Sequence, residues 1–169
     1  MKNLQANEYV PYQMNYIKLV SEQNIVKGLK DQKAEMLHFF GSIPVFKQEF
    51  KYEAGKWTIK DLFLHLIDAE RVFTYRALRI GRNDVTALPG FDENDFVLAA
   101  NANERTFESL LEEYAIVRDA TISLFSSFSE TDVLKLGTAS NASVSVRGIG
   151  YCILGHELHH KQVIIERYL

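Results

Sequence analysis

Cysteine is almost missing from this chain. Cys152 is the only one in 169 residues, so no internal disulfide can form, and a reducing, cytoplasmic setting is the expectation. Proline is nearly as scarce: Pro11, Pro44 and Pro89 leave long stretches free of its helix-breaking ring. No segment approaches the roughly 18 uninterrupted apolar residues of a membrane span. The opening "MKNLQANEYVPYQ" has neither the apolar run of a secretion signal nor an Arg-rich amphipathic pattern, so no membrane partner is expected. Basic clusters are also absent. The net charge is −3 with lysines and arginines scattered, which offers phosphates no track and argues against a nucleic-acid partner. "NAS" at 141–143 spells a glycosylation sequon, read here as chance in a chain without a secretion signal.

What is present is an ordinary globular composition, 47% apolar and 24% charged, in a length that suits one domain spanning 1–169. Helical spacing dominates. Ile17, Val20, Asn24, Leu29, Met36 and Phe40 recur at three- and four-residue steps, predicting a first helix from near Gln13 to near Gly41. Thr58 with Asp61 approximates a capping box, and Ile59, Leu62, Phe63, Leu66, Ala69, Glu70, Phe73 and Ala77 carry a second helix to about Gly81. An irregular connection with a Pro89-Gly90 turn follows, then a third helix from about Asn103 to Phe128. A loop leads to a fourth helix beginning near Ser143 or Ser145. No β-hairpin signal is evident. The pattern predicts an all-α four-helix bundle, with a long crossover between helices two and three that leaves those two parallel.

The fourth helix carries Gly148, Gly150 and Gly155, each costing about 1 kcal/mol against alanine. Gly148 and Gly155 share a face, which predicts close packing within the bundle or across a homodimer. "GHELHH" follows at 155–160. It contains H-E-x-x-H, the zinc-metalloprotease spelling, with Glu157 in the base position. His156 and His160 lie about 40° apart round a helix and can reach one ion. His159 projects away from both, toward an outer-shell or surface role. The protease spelling lacks support elsewhere. Glu166, on the same helix and about 120° round from His160, cannot fold back as a third ligand, and no strand edge is expected to align a peptide. A further ligand would come from upstream, where His38 and His65 stand. His38 beside Phe39 and Phe40 reads as a packing residue. His65 sits at the edge of the second helix's apolar stripe, where a bundle could bring it opposite the pair. Inward histidines that merely pack are common, and spacing alone leaves the two readings level.

"GKWTIKDLFLHLIDAERVFTYRALRIGRND", "LPGF" and "SVRGIGYCILGHELHH" together resemble the DinB-like family, small damage-inducible helical proteins unrelated in fold to the DNA polymerase of that name. The resemblance runs from about Tyr52 to Leu169. It implies a four-helix bundle, a divalent metal ion held by His65, His156 and His160, and a homodimer. It also implies either hydrolysis or transfer of a low-molecular-weight thiol on a small-molecule substrate, with the thiol as cosubstrate. Three imidazoles would leave an ion open to substrate, and their chemistry suits zinc or nickel. Arg76, on the same face as His65, reads as a surface or loop-anchoring residue or as an anion-binding group. Asp68, Glu70 and Glu157 could orient an imidazole or form salt bridges, Trp57 reads as a plug, and Tyr151 could donate a proton or pack. A non-catalytic dimeric stress-response binding protein is the alternative from another class, and an unusual hydrolase with Glu157 as base a third.

Overall fold

A computed structural model describes residues 4–169. A short helix α1 (Met14–Ile17) precedes α2 (Ile25–Gly41), α3 (Ile59–Gly81), a small α4 (Glu93–Ala100), α5 (Phe107–Ser126) and α6 (Val146–Arg167). The long helices each start at a side-chain cap. Asn24 accepts from the Lys27 amide, Thr58 from Asp61, Thr106 from Ser109 and Ser145 from Gly148. At α3 the cap is reciprocal, since Asp61 also accepts from the Thr58 amide at 2.9 Å, closing the expected capping box.

α2, α3, α5 and α6 form a four-helix bundle in which α3 packs on α5 and α6, and α2 packs on the same two. Cross-links give the directions. Thr58 meets Asn103 at 2.8 Å at one end of the α3–α5 pair, and Thr74 meets Thr121 at 3.1 Å farther on, so these helices run parallel. α6 runs antiparallel to α3, for Tyr168 at its end donates to the Trp57 carbonyl before α3 begins, at 2.9 Å. The crossover between the parallel pair is therefore present as expected. It is not irregular throughout, because α4, capped by Asp92, interrupts it.

Two further expectations fail. The first helix does not run unbroken from Gln13 to Gly41: the chain leaves helical form after α1 and restarts at Asn24. The apolar steps misled because Ile17 and Val20 are buried beside α6 residues while belonging to a separate segment. A hairpin also forms where none was expected, β1 (Leu136–Ala139) against β2 (Ala142–Ser145). Its two-residue turn, Ser140-Asn141, places both residues at positive φ, 51° and 61°, the primed-turn geometry that suits strand twist. Leu88 of the crossover pairs with it, donating to the Thr138 carbonyl at 2.9 Å and accepting from the Ser140 amide at 3.0 Å.

The glycine face of α6 is covered by the chain itself. A Cβ on Gly148 would fall 2.0 Å from the Glu8 carbonyl oxygen, and one on Gly155 would fall 2.2 Å from that of Tyr16. The N-terminal segment thus lies in the groove these glycines open. The apolar core forms two clusters, one around Leu29, Phe125 and Leu154, the other around Phe40, Phe63 and Ile164. Between them α3, α5 and α6 contribute a buried polar layer of Glu70, Arg118 and Glu157.

Candidate metal centre

His65 stands on the second turn of α3, and His156 and His160 stand one turn apart on α6. Because α3 and α6 run antiparallel, their inward faces bring the three rings together. His156 Nε2 lies 3.2 Å from His65 Nε2 and 3.0 Å from His160 Nε2. The ligand atoms of all three fall within 4.8 Å of one another. The spacing fits one ion: two nitrogens each about 2.1 Å from a metal sit roughly 3.0–3.4 Å apart for angles from square to tetrahedral. Hydrogen bonding explains the cluster less well. A neutral imidazole nitrogen carries either one proton or one lone pair, so His156 Nε2 can hydrogen-bond to only one of its two neighbours and the other contact is left unsatisfied.

Burial lowers the pKa of each ring. His65 falls to about 4 from burial alone. His160 falls to about 3, from burial and then from His65 and His159. His156 lies well below the ordinary range, from burial and its three histidine neighbours. All three are therefore neutral at pH 7, the form that donates a lone pair to a metal. Aromatic rings fix their planes. Trp57 sits 5.0 Å from His65, and Tyr16 and Phe73 sit 5.3 and 5.8 Å from His156, all centroid to centroid.

A cleft of about 320 Å³ opens on the histidines, walled by Tyr12, Tyr16, Trp57, Phe73, Arg76 and Phe91 among others. Burial raises the hydroxyl pKa of Tyr12 and of Tyr16, so both stay protonated near neutrality and can donate hydrogen bonds. Arg76 is buried at 6% exposure, with Nη2 donating to the Pro89 carbonyl at 2.8 Å and to Ser140 Oγ at 3.0 Å.

Residues 29–164, most of the chain, match the pattern of the DinB superfamily. The chain belongs to that superfamily. Among solved structures, YfiT from Bacillus subtilis superimposes with a TM-score of 0.75 over 94% of this chain and 91% of that one, at 14% identity. YfiT is described as a probable metal-dependent hydrolase with an unusual four-helix bundle topology, and the likeness at this identity is one of fold. No curated protein matches the sequence.

In this DinB bundle the other candidates have separate employment. Glu157 turns away from the cleft into the buried layer, where it accepts from Tyr114 at 2.6 Å and from Arg118 Nη2 at 2.8 Å. Glu70 takes the other edge of the same guanidinium, with both bonds at 2.8 Å. Burial alone would lower the Arg118 pKa, but Glu157 and Glu70 hold it well above the usual value. Burial raises Glu157 despite Arg118. Asp68 pairs with Arg71 at 3.1 Å, and the Tyr151 hydroxyl donates to the Gln23 carbonyl at 2.5 Å. His38, read from the sequence as a packing residue, is instead exposed near the end of α2, outside the cluster, and His159 packs on Tyr16 at 5.1 Å. Sequence reasoning missed Arg118 altogether. Its signal was indirect, two acidic residues on or beside the inward faces of α3 and α6 with no cation assigned to them.

Proposed function

We propose that the chain is a metal-dependent enzyme acting on a small molecule, with His65, His156 and His160 as ligands of a divalent ion at the floor of the cleft. The carrying observation is the convergence of three neutral imidazole nitrogens at 3.0 and 3.2 Å beside an open cleft. Zinc or nickel suits a set of three imidazoles.

Such an ion, when bound, lowers the pKa of a coordinated water or thiol toward neutrality and polarises a substrate carbonyl. The protein's own part is positional. Three neutral ligands leave the ion its charge, and three protein ligands rather than four leave it open to substrate. Trp57, Tyr16 and Phe73 hold the rings and keep bulk water from the apolar side. Tyr12 and Tyr16 offer neutral hydroxyls to a substrate oxygen. Two reactions fit this site, hydrolysis and transfer of a low-molecular-weight thiol to an electrophile. Glu157 is assigned no part in either, since its carboxylate is spent on Arg118 and Tyr114.

Metal analysis with zinc and nickel titration of the chelator-stripped protein tests the reading. About one ion per chain is expected to bind, and to raise Tm by roughly 5–10 °C at a hundredfold excess over Kd. His65→Ala and His156→Ala should each abolish both effects. A chain that binds no divalent ion, or binds it equally well in both variants, removes the basis for an enzyme.

A further inference from the structure

Among the described residues Arg76 is the one buried cation lining the cleft, and its surroundings do not account for its charge. No carboxylate lies within ion-pair distance of it among the described residues. The charges most strongly felt there belong to Tyr12 and Cys152, whose burial raises their pKa values, that of Cys152 to about 12. At neutral pH both are uncharged. Glu93 lines the same cleft from the exposed first turn of α4 and makes no ion pair with it. Keeping a cation buried without a counter-charge is costly, and chains rarely do so without use for it.

The guanidinium is also held still. Pro89 and Ser140 both engage Nη2, Phe91 lies under it with its ring centroid 5.8 Å from Cζ, and the Leu88 pairing stitches these two loops together. The remaining N–H groups, on Nε and Nη1, meet no acceptor among the described residues and are not sealed off from solvent beside the cleft. A fixed guanidinium with free donors beside a cavity is how proteins grip carboxylate and phosphate groups.

We propose that Arg76 binds the acidic group of the substrate, so that the cleft takes a small molecule carrying a carboxylate or phosphate at the end remote from the histidines. The inference rests on the metal reading for which end reacts. Its own content is charge selectivity at the other end. His65 and Arg76 share one face of α3 about three turns apart, a rise of some 16 Å. An arginine side chain leans back toward the helix N-terminus, so the molecule spans less than that.

The test compares mercaptohexanoate and mercaptooctanoate with mercaptohexanol and mercaptooctanol on the zinc-loaded chain, read by calorimetry. Trp57, the single tryptophan, lines the cleft and supplies a fluorescence signal as well. At least one acid should bind roughly tenfold or more tightly than its alcohol, the worth of a charge-assisted bond. Arg76→Gln should bring the pair within about twofold, with zinc affinity unchanged, and Arg76→Lys should keep part of the preference. A variant that merely loosened the loops would weaken acid and alcohol alike. If the wild-type chain binds each pair equally, or Arg76→Gln keeps the preference, the proposal is wrong. Failure to bind zinc would instead overturn the metal reading. Hexanoate, hexyl phosphate and hexanol on the metal-free chain then carry the same comparison: whichever acid outbinds hexanol names the class, and neither doing so overturns the assignment.

Discussion

At Glu157 the letters of a protease motif and the chemistry of the residue part company. The spelling asks for a carboxylate beside the metal, but the residue after His156 points about 100° round the helix, into the polar layer. There one guanidinium faces two carboxylates, with Tyr114 donating to one of them. Removing different members should therefore have unequal effects. Arg118→Met would leave Glu70 and Glu157 buried together without a cation, costing about 3–5 kcal/mol. Glu157→Gln leaves Arg118 paired with Glu70 and still presents an oxygen to Tyr114, so its cost should stay near 1–2 kcal/mol. Urea unfolding of both variants checks the order, and zinc titration of Glu157→Gln should match the wild type. A larger loss for Glu157→Gln than for Arg118→Met would contradict this account of the layer. His156 and His160 were legible as a candidate pair because i,i+4 spacing is local, whereas His65, 91 residues away, was joined to them only by the family resemblance. Arg118 was not legible, because its role needs partners from two other helices.

Among the elements, α3 was read almost to its ends, since a capping box and an unbroken apolar stripe are both written within its own residues. The N-terminal break was hidden because Ile17, Val20 and Leu29 keep helical spacing across a segment that is not helical. The hairpin was hidden because Ser-Asn is a weaker turn signal than Asn-Gly, and its support comes from Leu88 far upstream. The glycines of α6 were read as marks of close approach, and the approaching element turned out to be the chain's own N-terminal segment. That yields a contrast. Alanine at position 155 would press on the Tyr16 backbone, which cannot rotate away as a side chain could. Gly155→Ala should destabilise by about 1–3 kcal/mol despite the better helix former, and should weaken zinc binding because Tyr16 packs on His156. Gly41→Ala, at the end of α2 with nothing within 4 Å, should be neutral or stabilise by up to about 1 kcal/mol. Thermal unfolding of the two variants should move in opposite directions, or only the first should move.

Across the whole molecule, the cleft depends on how the N-terminal segment is fastened, because Tyr12 and Tyr16 form one of its walls. The fastening is Glu8. Its carboxylate accepts from Arg147 Nε and Nη2, both at 2.6 Å, and from Ser145 Oγ at 2.8 Å, while its carbonyl takes the Ser145 amide at 3.0 Å. One acidic residue thus joins the start of the chain to the end of β2 and the first turn of α6. The Arg147 bond, against an opposing push from burial and with help from Gln5 and Ser145, lowers the Glu8 pKa from 4.5 to about 2. A carboxylate depressed in the folded state stabilises fully above its unfolded pKa, and the contribution fades as pH falls through the folded one. Stability from Glu8 should therefore be level at neutral pH, begin to fall near 4.5 and be gone by about 2. Glu8→Gln should be less stable than the wild type at pH 7, and its urea midpoint should converge on the wild-type value across that acid window. No histidine titration can imitate this signature, because the deeply buried rings of the cluster lose stability on gaining a proton whether or not Glu8 is present, and so cancel in the difference between the two proteins. A gap between wild type and Glu8→Gln that stayed constant down to pH 2 would mean that the carboxylate's charge does not hold the wall in place.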